Sequence, residues 1–198
     1  MRIARVSIAV ASLLSLAGAS AWALLGQPEM SPEEMMKYYE KVGAPGPHHA
    51  VLNAVVGEFD AKGAFWMDPS APPVTSGGHS ANVWVLGGRY IQMKYEGDFM
   101  EQQFTGIGYL GYDNMTKRYQ STWMDSMSTL IMFMQGDMDE ATKTITWKGK
   151  MPDPITGQTM LVRETLRIAS PDRHVIEWFQ AYPDSEETKT MEIVYTRR

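Results

Sequence analysis

From Glu58 to the end of this 198-residue chain, apolar residues recur at every second position, and turn residues interrupt the pattern at short intervals. In residues 143–151, Ile145, Trp147, Gly149 and Met151 fall in one phase and Thr144, Thr146, Lys148 and Lys150 in the other. Met191, Ile193 and Tyr195 alternate in the same way with Thr190, Glu192 and Thr196. A side-chain period of two means strands with one buried face. The punctuation is Tyr112-Asp113-Asn114, Asp137 to Glu140, Pro152-Asp153-Pro154, Ser170-Pro171-Asp172 and Pro183-Asp184-Ser185, all of turn chemistry. About ten strands result, spaced as in an antiparallel meander. A single open sheet of that size would expose two unpaired edges, and closure into a barrel removes them. The expected fold is therefore all-β: one antiparallel up-and-down barrel of about 8–10 strands. A two-sheet sandwich is the alternative that periodicity leaves open.

Helical signals are confined to the N-terminal side of the strands. Residues 27–41 carry an N-cap at Ser31, Pro32 at the first helical position and Glu33 and Glu34 in the first turn. Met35, Met36, Tyr38 and Tyr39 can form its apolar face, and Gly43 to Pro47 ends it. A second short helix is expected over residues 48–56, with Leu52, Val55 and Val56 inward and Gly57 as its stop. The expected division is a signal peptide over 1–23, a helical segment over 24–57 and the barrel over 58–198.

Polar residues that fall in the apolar phase are the candidates for function. Arg89 shares its phase with Ile91, Met93 and Tyr95, and Glu164 shares its own with Met160, Val162, Leu166 and Ile168. An unpaired charge inside a barrel is costly, so a buried Arg89–Glu164 pair, or Arg89 with Asp125, is expected. Arg89 would then either close the barrel or anchor an acidic head group. Asp125 lies in phase with Tyr119, Ser121 and Trp123. The expected ligand-binding interior is Trp66, Arg89, Trp123, Asp125, Trp147, Glu164 and Tyr195. Asp125, Glu164 and Glu177 are the carboxylates available for acid–base work, but no Gly-x-Ser-x-Gly nucleophile motif accompanies them.

The remaining candidates are weaker. His48 and His49 are adjacent and so face different ways on a helix, and His79 sits in a loop-like Ser-Gly-Gly-His stretch. No metal-binding histidine spacing occurs among the four histidines. Of 16 methionines, Met124, Met127, Met132, Met134 and Met138 cluster in sequence. Thioethers bind Cu(I), but Met132 and Met134 alternate within an apolar strand and read as core.

Several segments carry a family resemblance. They are residues 49–60 (HAVLNAVVGEFD), Phe65-Trp66, residues 85–90 (VLGGRY), 104–108 (FTGIG), 111–114 (GYDN), 121–127 (STWMDSM) and 191–197 (MEIVYTR). Together they resemble the domain of unknown function 1579 family of bacterial proteins, from about Pro47 onward. The family resembles calycin-type barrels, which include lipocalins and haem-binding nitrobindin-like proteins. The resemblance implies a barrel and no assigned activity. It adds one cofactor option, haem on His174; the residues themselves predict no cofactor.

The N-terminus limits where the protein works. Arg2 and Arg5 precede an uncharged run over residues 8–25, which holds the small-x-small sequences Ala19-Ser20-Ala21 and Ala21-Trp22-Ala23. That is the pattern of a secretory signal, cut after Ala21 or Ala23. Retention as an anchor is the alternative. Cleavage removes two arginines and takes the formal charge from −5 to −7. An acidic domain of about 175 residues without a basic cluster is a poor partner for nucleic acid or anionic membranes. With no cysteine in the chain, the core alone holds the exported domain.

The expected protein is thus a soluble periplasmic or secreted bacterial barrel. It would bind a small apolar or weakly acidic molecule. A filled barrel serving as a structural or interaction module is the competitor, and a hydrolase or isomerase comes third. N-terminal sequencing of the protein recovered from a periplasmic fraction is expected to begin at Trp22 or Leu24. A chain beginning at Met1 and held in the membrane would contradict the cleavage.

Overall fold

The structure is a computed structural model, described here for residues 30–198. The proposed signal, residues 1–23, and the first residues of the expected helix lie outside them. Helix α1 spans Pro32–Gly43, helix α2 Pro47–Val51, and a 3-10 turn Leu52–Val55 follows. Ten strands come next: β1 Gly57–Phe65, β2 Val74–Val85, β3 Tyr90–Phe99, β4 Gln102–Asp113, β5 Arg118–Asp125, β6 Met132–Asp139, β7 Thr144–Pro152, β8 Thr159–Ser170, β9 Arg173–Ala181 and β10 Thr188–Arg197. Among the described residues no helix is long and apolar enough to cross a membrane.

The start of α1 follows from its sequence. Ser31 Oγ accepts from the Glu34 backbone N–H, and the Glu34 carboxylate accepts from the Ser31 backbone N–H at 2.8 Å, a reciprocal capping box. No residue of α1 is buried. The chain divides after Val42, and the compact barrel unit is Gly43–Arg198. The helical turns over residues 47–55 lie in the same compact unit as the strands.

Each strand pairs antiparallel with its neighbours in sequence, and β1 pairs with β10, so the sheet is a closed barrel. Closure runs from Phe59 opposite Arg197 to Phe65 opposite Met191. This decides between barrel and sandwich. The phases read from the sequence hold inside the strands. Ile145 and Trp147 on β7, Met160, Val162 and Leu166 on β8, and Ile91 and Tyr95 on β3 are buried. Met132 and Met134 pack in the same core.

The two ends of the barrel differ. The turns at residues 86–89, 114–117, 140–143 and 171–172 share one end with the start of β1. There α2 and the 3-10 turn fold across the opening. Leu52 and Val55 enter the core, Asn82 Nδ2 donates to Val55 O at 2.8 Å, and Trp84 Nε1 donates to Asn53 Oδ1 at 2.8 Å. Arg197 fastens the plug by donating to Val56 O and Ala54 O, with its guanidinium 4.6 Å from the Phe59 ring centroid. The connections at 66–73, 100–101, 126–131, 153–158 and 182–187 form the opposite end, which has no such plug among the described residues.

Tight pairing demands glycine at Gly136 on β6. A Cβ there would run into the backbone of Thr146 and Trp147 on β7. The plug is expected to contribute as a core element. Leu52→Ala should lower the unfolding free energy by about 3 kcal/mol in urea denaturation. Ile155→Ala, at a 93% exposed loop position, should change it by less than about 0.5 kcal/mol. Equal, small effects would show that the plug is not part of the cooperative core.

Candidate functional site

The inward phases of the strands do not fill the barrel. A cavity of about 260 Å³ runs from Val55 of the plug to Phe65, Phe99 and Met127 at the open end. Its wall is mostly apolar, with seven Phe, Tyr and Trp rings, and it contains few polar groups. Those groups come from four directions: Ser76, Ser80 and Asn82 on β2, Tyr95 and Asp98 on β3, Ser121 on β5, and Glu164, His174 and Tyr195 on β8, β9 and β10.

Near the plug the polar groups satisfy one another. Ser80 Oγ donates to Asn82 Oδ1 at 2.7 Å, and Asn82 reaches Val55 O. On the opposite wall they do not. Glu164 is enclosed by protein, and the surface it retains is cavity wall. Its only influence is burial, which lifts the carboxyl from 4.5 to about 8 and keeps it neutral at pH 7. Directly opposite on β7 lies Trp147, fully buried, whose Nε1 has no hydrogen-bond partner. His174 is also buried, with Nδ1 unpartnered. Its ring stacks on Tyr195 at 4.6 Å and meets the Phe59 edge at 4.6 Å. Burial, helped by the Arg197 charge, lowers His174 from 6.5 to about 4, so it is neutral as well. The Tyr195 hydroxyl is pushed up by burial and then by Tyr95 and Glu164.

Of the residues expected from sequence, Trp123, Glu164 and Tyr195 line the cavity. Trp147 stands in the core beside Glu164 without reaching the space. Asp125 ends β5, where it accepts from Trp123 Nε1 at 3.1 Å and from the Met127 backbone N–H, outside the lining. Trp66 lies one residue past β1. Phe65 takes the cavity position and Trp66 instead meets the Lys189 ammonium at 5.2 Å.

The expected pairing of Arg89 with Glu164 or Asp125 is not formed. Arg89 is exposed in the turn between β2 and β3 and donates to Leu86 O at 3.1 Å. Leu86, Gly87 and Gly88 all have positive φ, so the strand phase does not extend back to Arg89. Glu177, expected as a carboxylate for acid–base work, pairs with Lys189 at 3.2 Å and is not part of the cavity lining. His79, expected in a loop, is in β2, with Nδ1 3.1 Å from Phe59 O. The polar members of β2 were missed because Ser, Gly and Asn in a strand read as loop.

Haem does not fit this interior. The space beside His174 is below the usual range for drug-sized ligands, and a porphyrin is larger than those. Among the described residues no group of three or more His, Asp or Glu gathers to hold a metal.

A closed antiparallel barrel with a plugged end and an apolar interior cavity is the architecture of a calycin-like barrel. The chain belongs to the family described as protein of unknown function DUF1579, which matches residues 44–197. No curated protein matches it by sequence. Among solved structures, Rv2717c from M. tuberculosis is similar with a TM-score of 0.57 at 12% identity, over 78% of this chain and 99% of that one. The S-type phycobiliprotein lyase CPES from Guillardia theta is similar with a TM-score of 0.55 at 13% identity, over 81% of this chain and 97% of that one. At such identities the likeness is one of fold.

The two shifted groups affect stability in opposite directions. The raised Glu164 value gives a contribution complete below pH 4.5 and lost as pH rises through about 8. The depressed His174 value gives one complete above pH 6.5 and lost as pH falls through about 4. Glu164→Gln should therefore match the wild type at pH 4 and exceed it at pH 8.5 by on the order of 4 kcal/mol in denaturant titrations. Parallel profiles for the two proteins would contradict the buried neutral carboxyl.

Proposed function

We propose that this protein is exported, cut after Ala21 or Ala23, and works in the periplasm or outside the cell as a binding barrel. A small, mostly apolar molecule occupies its interior. The observation that carries the reading is the cavity itself, with Glu164, a buried carboxyl that has no partner among the described residues, in its wall. A barrel serving only as a structural module would be expected to fill such a space, because an interior void forfeits packing. The volume favours a compact ligand. Trp123, Glu164 and Tyr195 would touch it, while Trp66, Arg89, Trp147 and Asp125 would not. A barrel of this fold is a phycobiliprotein lyase in Guillardia theta, so fold by itself decides neither binding nor catalysis.

Native mass spectrometry of protein taken from its own periplasm tests the reading. The wild type is expected to carry a small-molecule adduct. Ile193→Trp, which places an indole in the cavity from a lining position, should remain folded and lose it. If both proteins are bare and Ile193→Trp melts at the higher temperature, the cavity is unused and the barrel is a structural module.

A further inference from the structure

We infer that the ligand is an organic cation: a compact apolar body carrying one ammonium group, which sits against Glu164 among the aromatic rings of the cavity. This rests on the reading of the barrel as a binding protein and names the chemistry that its interior selects.

The charge of the cavity wall selects against an anion. The cavity has two acids, Glu164 in its depth and Asp98 towards the mouth, and no lysine or arginine. An anionic head group brought inside would meet no positive charge and would lose its hydration without compensation. This turns the expectation of a weakly acidic ligand around, because its only support was Arg89, which lies outside.

The Glu164 carboxyl has no charged neighbour among the described residues. Trp147 on β7 and Trp178 on β9 are its direct cross-strand neighbours. The titratable groups facing it are the Tyr195 and Tyr95 hydroxyls, both raised by burial, and the His174 ring. All are uncharged at neutral pH, so the described residues supply no counter-ion. A ligand ammonium does, and it gains a second interaction that a neutral head group lacks. Tyr95, Phe104, Trp123, Trp178 and Tyr195 form part of the wall, and desolvated cation–π contacts are strong.

Outside the cavity, the two ends of the barrel differ in charge. The five connections at the open end carry Asp68, Glu101, Asp153, Asp184, Glu186 and Glu187 and no basic residue. The four turns at the plugged end carry Arg89, Lys117 and Lys143 against Glu140 and Asp172. Arg163 pairs with Glu187 at 2.6 Å and Lys189 stands at the start of β10, so the acidic excess at the mouth is partial; it still favours cations over anions.

Proton balance gives the proposal a signature. The ammonium enters charged. Glu164 enters as a neutral acid at pH 7, releases its proton to the solvent and remains as the carboxylate of the ion pair. Binding one amine thus liberates about one proton. A neutral alcohol binds without releasing any.

Isothermal titration of the exported protein with 1-naphthylmethylamine, 1-naphthylmethanol and 1-naphthoic acid tests this, since the three share one ring body. The amine is expected to bind about tenfold or more tighter than the alcohol, and the acid is expected not to bind. Titrations at pH 7 in buffers of different ionisation enthalpy should report close to one proton released per amine. In Glu164→Gln the amine should fall to the affinity of the alcohol, with no proton released and alcohol binding retained. Equal binding of amine and alcohol by the wild type, or tightest binding of the acid, would overturn the cation while leaving the binding barrel standing. If none of the three binds and the periplasmic protein carries no adduct, both readings fall together.

Discussion

The ladder between β1 and β10 is the interaction on which the rest depends. Pairing Phe59 with Arg197 and Phe65 with Met191 joins the two ends of a ten-stranded sheet and removes the edges that would otherwise invite aggregation. Closure also fixes which residues look inward, because a register slip of one would exchange the two faces of a strand. Arg197, at the end of the last strand, extends that constraint to the plug. It holds Val56 O and Ala54 O while its guanidinium lies against Phe59. The same residue closes the barrel, seals one end and lowers the proton affinity of His174.

Among the described residues, a barrel closed and plugged in this way has one end without a plug, and its cavity extends toward that end. The polar groups within it are then of two kinds. Ser80 and Asn82 are tied to the plug and keep it seated. Glu164 and the His174–Tyr195 stack are not tied to anything that satisfies them fully. Buried polar groups left in this state are uncommon in protein cores and tend to mark places where a structure meets something else. The absence of a basic side chain from the cavity wall and the acidic connections around the mouth give that meeting a sign.

Much of the fold was legible because alternation within a strand is a local property. The inward positions of Ile145, Trp147, Val162, Leu166, Ile193 and Tyr195 follow directly from it. Glu164 was found for the same reason, lying in mid-strand with apolar residues two places away on either side. Legibility ended where strands end. The phase of β3 was carried back to Arg89 across a turn of three positive-φ residues, and the phase of β1 was missed by one residue, exchanging Phe65 for Trp66. Strand β2 was hidden for a different reason. Its inward residues Ser76, Ser80 and Asn82 have loop chemistry, and only the pairing of β2 with β1 and β3 makes them interior. The Arg89–Glu164 pair was an inference from cost: a buried charge should have a partner. The carboxyl is buried, but the cost is met by neutralisation rather than by pairing.

The barrel holds an unpaired, neutral carboxyl in its cavity wall, and the Glu164 side-chain carbon reports that state directly. In a carbon-detected NMR titration of the protein without ligand, one glutamate resonance, assigned through its loss in Glu164→Gln, is expected to titrate near pH 8. A Glu164 resonance that titrates in the ordinary range of about 4 to 5 would show that the carboxyl is solvated or paired, and the account of the site would fail.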